Sequence, residues 1–343
     1  MQRIVLALVA CHAVAGNAAA QFAAEVREVT RGGTTAAEFL SIPVGARATA
    51  MGSAFSAIVD DATAVYWNPA GLGEASSVSL TAEYAEWLAG IAFNYVAVAV
   101  PTRWGTIGAA VTGFRTPEMR VTTVLEQNGT GEQFNAASYA MAVAYGVQLT
   151  DRFSFGLTAK VISERIWHST ATGMAMDAGT IFTTPFWGIR LGASIANFGT
   201  KMRMTGDDLL VVADIDPAVR GNNESNRAVL NTDAFDLPLT MRIGLAGEVL
   251  ETERSRFTLA MDVQSPNNSN QYVNVGGEIG LLGDLLMIRG GFSELFLRDS
   301  VRSWSLGGGL RYDFHSVGFA MDYAYESQEY FSGVSRLTVA AAF

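Results

Sequence analysis

The sequence predicts a closed, antiparallel transmembrane β-barrel of about fourteen strands, with an N-terminal segment of different texture and short helices. Three observations carry this. From Ser77 to Phe343 apolar and polar side chains alternate with a period of two. In the last segment Leu337, Val339, Ala341 and Phe343 share one face, and Arg336, Thr338, Ala340 and Ala342 the other. A soluble sandwich turns its apolar faces inward. Here the segments are long, and nearly every one has a greasy face and a small or charged face, as a barrel in lipid requires. Second, the chain is 49% hydrophobic, yet no apolar run reaches the roughly 20 residues of a spanning helix. The best candidate, Leu88 to Val100, holds Asn94 and stops at Pro101. Third, the connections alternate short and long, the asymmetry of an outer-membrane barrel.

Residues 1–20 read as a secretory signal. Arg3 is the positive start, Ile4 to Ala15 the apolar stretch, and Ala18-Ala19-Ala20 the cleavage site, leaving Gln21 first. Leu8-Val9-Ala10-Cys11 also resembles a lipoprotein box, but Cys11 falls too early for a full apolar region. Cleavage after Ala20 removes the one cysteine, so no disulfide, thiolate nucleophile or cysteine-ligated metal is expected.

Residues 21–76 do not alternate. They are rich in Ala, Gly and Thr, and the small residues of Gly45 to Ala54 suit close packing in a confined space. Asp60 or Asp61 can cap a short helix through Ala62 to Trp67. Asn68-Pro69 ends it, because the residue before proline avoids the helical region, and Pro69-Ala70-Gly71-Leu72 starts another turn.

Residues 77–343 form the barrel. The strand-like segments are 77–86, 91–100, 106–115, 135–149, 153–165, 173–184, 188–198, 237–249, 256–265, 272–281, 285–293, 303–314, 317–327 and 334–343. The longer connections are 116–134, 199–236 and 294–302. Val317, Phe319, Met321, Tyr323 and Tyr325 are placed toward lipid, opposite Gly318, Ala320, Asp322, Ala324 and Glu326. A lipid-facing Arg or Lys at mid-bilayer costs roughly 2–4 kcal/mol. Hence Arg242, Asp262, Arg311, Asp313 and Asp322, with Lys160, Asp177, Arg190, Glu248, Glu278 and Arg289, are expected to face the lumen. Trp87, Trp104, Phe153, Trp187, Trp304, Phe314 and Tyr325 fit interfacial girdles. The segments 77–86 and 91–100 alternate too weakly for their faces to be assigned.

The N-terminal segment carries three blocks in order: Phe39-Leu40-Ser41-Ile42-Pro43-Val44-Gly45-Ala46-Arg47-Ala48-Thr49-Ala50-Met51-Gly52-Ser53-Ala54-Phe55, then Asp60-Asp61-Ala62-Thr63-Ala64, then Trp67-Asn68-Pro69-Ala70-Gly71-Leu72. Together they closely resemble the N-terminal signature of the PorV/PorQ family of outer-membrane barrels, within the FadL-like superfamily. The resemblance implies a fourteen-stranded barrel in the bacterial outer membrane, plugged by a hatch of residues 21–76. Arg47, Asp60, Asp61, Asn68, Pro69, Ala70 and Gly71 would order or gate that hatch. It further implies a role in type IX protein secretion, with a large translocon barrel and cargo bearing a C-terminal sorting domain as partners. The alternative is a FadL-like channel for fatty acids or other hydrophobic small molecules, since Asn68-Pro69-Ala70-Gly71-Leu72 is the generic superfamily form. The terminal Phe343 would mark the chain for the barrel-assembly machinery.

Other classes find little support. His168 and His315 have no neighbouring nucleophile in sequence, so no enzyme is expected. The acidic stretch 199–236 reads as a solvated loop rather than a Ca²⁺ site, and no metal or cofactor is expected. Asn128-Gly129-Thr130 and Asn223-Glu224-Ser225 are read as polar loop residues. Gly307-Gly308-Gly309 lies mid-strand, where close approach of an inner segment explains it better than phosphate binding. A net charge of −10 argues against nucleic acid.

Overall fold

The computed structural model describes residues 31–214, 226–298 and 300–343. The signal segment, the first ten residues of the expected hatch and the Asn223-Glu224-Ser225 triplet lie outside the described residues.

Fourteen strands form one closed antiparallel barrel. They are β1 (Ser79–Glu86), β2 (Ala92–Thr102), β3 (Gly105–Arg115), β4 (Ala136–Thr150), β5 (Phe153–Ile166), β6 (Ser169–Thr183) and β7 (Arg190–Gly199). The second half is β8 (Thr240–Glu251), β9 (Ser255–Pro266), β10 (Tyr272–Leu281), β11 (Leu286–Leu295), β12 (Arg302–Phe314), β13 (Val317–Gln328) and β14 (Val334–Ala342). Each strand pairs with its neighbours in sequence, and β14 pairs with β1 to close the wall, Glu83 opposite Thr338. No free edge is left, which satisfies every ladder in lipid.

The outer face is a band of exposed apolar side chains, such as Val96, Val111, Met141, Val161, Ile195, Ile243, Ile288, Met321 and Val339. One end carries tight turns and the other the long connections, hereafter the turn end and the loop end. β6 begins four residues earlier than expected. Its first turn, Ser169 to Thr172, is small and polar on both faces and gives no alternation signal, so His168 lies in a two-residue turn with Trp167. β1 and β2 place Glu83, Ala85, Phe93, Tyr95, Ala97 and Ala99 inward, all buried. The inner face of β2 meets apolar chain rather than water, so both its faces are apolar and the period is lost, while on β1 the acids Glu83 and Glu86 fall on opposite faces.

Two side chains depart from expectation. Trp87 is half-buried and stacks over the Arg336 guanidinium, 5.2 Å away, so it belongs to the lumen and not to a girdle. Asp313 shares the inner-face parity but sits at the turn end of β12, exposed to water, with Arg311 half-buried beside it. Both lie beyond the plug, so nothing desolvates them.

The barrel core is the N-terminal chain itself. Val44, Met51, Phe55, Val65, Trp67 and Leu72 are all at most 2% exposed. This hatch holds little regular structure: helix α1 (Ala46–Ala50), helix α2 (Ala64–Trp67) and 3₁₀ turns at Glu38–Ser41 and Pro69–Glu74. Asn68 is extended (φ −161°) and its side chain caps the last turn by accepting from the Ala70 N–H. Asp61, not Asp60, organises the start of α2, accepting from the Thr63 N–H at 2.7 Å.

The hatch circles the inner wall almost once, in backbone contact with it. Where it touches, the strand presents glycine: Gly307 against Ala50, Gly291 and Gly276 against Met51, Gly192 and Gly244 against Ser56, Gly179 against Asn68, Gly156 against Pro69, Gly146 against Leu72. A Cβ on Gly156 would clash with the Pro69 carbonyl group. Gly156→Ala should therefore lower the unfolding midpoint of the purified barrel by an overpacking cost of about 1–3 kcal/mol. Gly113→Ala, on the outer face with its nearest atom 3.5 Å away, should leave the midpoint of the gel-mobility transition unchanged. Equal effects would mean the hatch does not pack on this belt.

Candidate functional site

The residues of the three N-terminal blocks converge inside the barrel. Arg47, on α1, forms a two-pronged pair with Glu278 of β10, Nε–Oε2 3.0 Å and Nη2–Oε1 3.1 Å, and reaches Asp60 at 2.9 Å. Glu278 also takes Arg289 of β11 at 2.5 Å and Arg256 of β9 at 3.0 Å. Arg289 passes on to Asp322 of β13 at 2.5 Å. The three guanidiniums thus face the buried carboxylates of Glu278 and Asp322 and the exposed one of Asp60, so each cation has an acid beside it. Burial works against charge on Arg47, but Glu278 and Asp60 outweigh it and hold its pKa well above the ordinary value. Burial, and next Asp60, push the Asp61 carboxyl up.

Asn68 is fully buried and ties three segments together. Its Nδ2 donates to the carbonyls of Ser56 (2.8 Å) and Thr180 of β6 (3.1 Å). Pro69, Ala70 and Gly71 are buried around it. Trp67 donates from Nε1 to the Val44 carbonyl at 2.9 Å, and Tyr66 to Leu40 at 3.2 Å. Asp262 accepts the N–H groups of Phe55 and Ser56 through one oxygen.

A second network escaped the sequence, although Arg336 and Glu326 were on the correct face. Arg336 of β14 bonds Glu83 of β1 at 2.9 Å and the Pro43 carbonyl at 2.7 Å. Glu326 binds Arg302 at 2.5 Å, and Arg302 reaches Ser53 Oγ at 2.9 Å. On β5 and β6, Lys160 pairs with Asp177 at 2.6 Å. Glu83 could have been found as the acid on the same strand face as Thr81 and Ala85.

At the loop end a cleft of about 230 Å³ opens between hatch and wall. Ile42, Pro43, Trp87, Pro266, Tyr272 and Leu297 give it apolar surface, and Arg242, Arg302, Glu294 and Gln264 polar groups. Arg242 is 4% exposed, and its guanidinium lies 5.4 Å from the ring centres of both Tyr66 and Trp67. On the outer rim His168 Nδ1 meets Asp208 Oδ1 at 3.0 Å, while Ser169 Oγ points at Asp208 rather than at the imidazole. That order does not activate a nucleophile. Among the described residues no cluster of three or more His, Cys, Asp or Glu could hold a metal.

The hub carboxylate defines a test. Glu278→Gln removes the one carboxylate that Arg47, Arg256 and Arg289 share and should cost about 3–5 kcal/mol, the range for breaking a buried pair. Asp236→Asn removes the carboxylate of an exposed pair with Lys201 and should cost under about 1 kcal/mol. Unfolding midpoints in detergent would rank them, and equal midpoints would mean the buried pairs do not anchor the hatch.

No protein-family model matches the sequence, and no curated protein is similar to it. Solved structures do match. The chain is similar to the *Pseudomonas putida* toluene transporter TodX, with TM-score 0.56, 12% identity, 87% of this chain and 97% of that one. It is similar to a *Pseudomonas aeruginosa* FadL homologue, with TM-score 0.52, 11% identity, 88% and 98%. It is also similar to the *Ralstonia pickettii* toluene transporter TbuX, with TM-score 0.53, 11% identity, 87% and 97%. The chain has the fold of the FadL-like outer-membrane barrels, over nearly the whole length of each.

Proposed function

We propose that this chain is a hatch-plugged channel of the bacterial outer membrane that admits small, largely apolar molecules. The observation that carries the reading is the cleft at the loop end. It lies between hatch and wall, where Ile42, Pro43, Trp87 and Leu297 offer apolar surface. The likeness to toluene transporters supports the same reading through the fold alone. Arg47, Asp60, Asp61 and the Asn68-Pro69-Ala70-Gly71 turn then set how firmly the plug is held.

A second reading is an accessory of type IX secretion that docks on a translocon and receives cargo. It is favoured by the N-terminal blocks and by Val124 and Leu125, 89% and 94% exposed on the β3–β4 connection, where a partner could cover them.

Uptake of labelled toluene separates the two. Cells carrying the barrel should accumulate it several-fold faster than cells lacking it. No difference, together with recovery of a very large barrel and proteins sharing one C-terminal domain in a mild-detergent pull-down, would establish the second reading instead.

Phe343 follows β14, is 60% exposed, and donates its N–H to the Val78 carbonyl at 2.8 Å. As the terminal aromatic it would direct insertion by the assembly machinery. Deleting it should then lower the amount of barrel in the outer membrane, and unchanged levels would remove that role.

A further inference from the structure

Hatch and wall enclose a second, smaller space, a pit of about 20 Å³. The hatch lines it with Arg47, Asp61 and Thr63, and the wall with Thr81 of β1, Asp322 of β13 and Thr338 of β14. Thr81 is the third residue of β1 and pairs with Ala340 near the end of β14, so the pit lies toward the turn end. One water-sized particle needs roughly 10–15 Å³, so the pit has room for one. Apart from Arg47, the polar lining is oxygen. The Thr81 hydroxyl has no hydrogen-bond partner, although Thr81 is 2% exposed. Thr338 accepts the Ala46 N–H and keeps a second lone pair. Asp61 takes the N–H and the hydroxyl of Thr63 on Oδ1 alone, so Oδ2 accepts no hydrogen bond among the described residues.

The charges around the pit do not balance. Arg47, Arg256 and Arg289 are met by Glu278, Asp322 and Asp60. Asp61 is a fourth carboxylate, acted on favourably by Arg47 and unfavourably by Asp60. The Arg47 fork is already committed to Glu278 and Asp60. Three guanidiniums therefore stand against four acids, even before Glu248 and Asp284, which also meet Arg256. The surplus is negative, and it falls where oxygen atoms are left without partners. Carboxylate and hydroxyl oxygens suit a hard cation. No cluster of three or more acids, imidazoles or thiols is present among the described residues, so the donor set is too weakly charged for a tightly held divalent ion. One carboxylate with hydroxyls matches a monovalent one.

We propose that the pit binds one sodium-sized monovalent cation through oxygens of Asp61, Thr81 and Thr338. The ion ties the Asp61–Thr63 turn of the hatch to the seam between β14 and β1. It neutralises the surplus acid and gives the orphaned Thr81 hydroxyl a partner, so it is a fastener of the plug on the turn side. The site is independent of what the channel carries, and toluene uptake and cation binding fail separately.

The test is the unfolding midpoint of the purified full chain in detergent as sodium chloride replaces N-methylglucamine chloride. The ionic strength is held at about 0.1 M, so that screening stays constant. The wild-type midpoint should rise by about 2–4 °C and level off as the site fills. Potassium, the larger ion, should give a smaller rise at the same concentration. Asp61→Asn should remove the sodium dependence. Thr81→Val keeps the shape of the side chain and deletes only its oxygen, and it should raise the half-saturating sodium concentration several-fold. Equal midpoints in sodium and N-methylglucamine would overturn the proposal and leave the pit to a water molecule. Equal rises in sodium and potassium would overturn a sized site. A larger rise in calcium chloride of matched ionic strength would overturn the monovalent class. Should Asp61→Asn fail to fold, Thr81→Val decides, and an unchanged half-saturation in that variant overturns the assignment.

Discussion

The rest of this molecule depends on main chain lying against main chain around the inside of a closed wall. A barrel of fourteen strands encloses more space than its own inward side chains fill. Here the space is filled by a strap of irregular chain that must come within contact distance of the strands. That is possible only where the wall has no Cβ, and strand after strand supplies glycine at the crossing point. Other inward side chains of the wall become ligands for the strap. Asp262 takes the Phe55 and Ser56 amides, Thr338 takes the Ala46 amide, and Ser305 takes the Gly52 amide. A segment with so little helix has many unpaired N–H groups, and each needs such a partner once buried.

The charges follow from the same confinement. Arg47 is buried, and its charge is held by Glu278 of the wall and Asp60 of the hatch. Buried pairs of this kind are weak sources of net stability and good sources of uniqueness. Arg47 has one place in the barrel where its fork finds both Glu278 oxygens with Asp60 behind it, and that fixes where α1 sits against β10 to β13. At the loop-end cleft Arg242 instead lies beside the Tyr66 and Trp67 rings.

Much of this was legible in the sequence. Alternation located the strands because lipid and lumen impose opposite chemistry on successive residues, as in Phe319 and Asp322 of β13. The break at Asn68-Pro69 was legible because proline restricts its predecessor whatever surrounds it. Where the lumen is filled by apolar chain the contrast disappears, which is why Phe93 and Tyr95 concealed the facing of β2. Partnerships were not legible. Parity puts Arg336 and Glu83 inside, but only ring closure makes the last strand a neighbour of the first. Nor does parity tell Arg289, ion-paired to Glu278 and Asp322, from Arg242, which lies beside the Tyr66 and Trp67 rings. The same limit misplaced Trp87, whose position in sequence suits a girdle and whose partner is 249 positions away in the chain.

The closing seam also takes in the plug. Arg336 spans β14 and β1 by holding Glu83, and with its other contacts it holds the carbonyl of Pro43. Glu83 in turn accepts the amide of Gly45. The latch between the first strand and the last therefore has the strap threaded through it. A ring shut around an empty lumen would leave that latch without its middle member, so the plug is also a part of the seam between the first strand and the last.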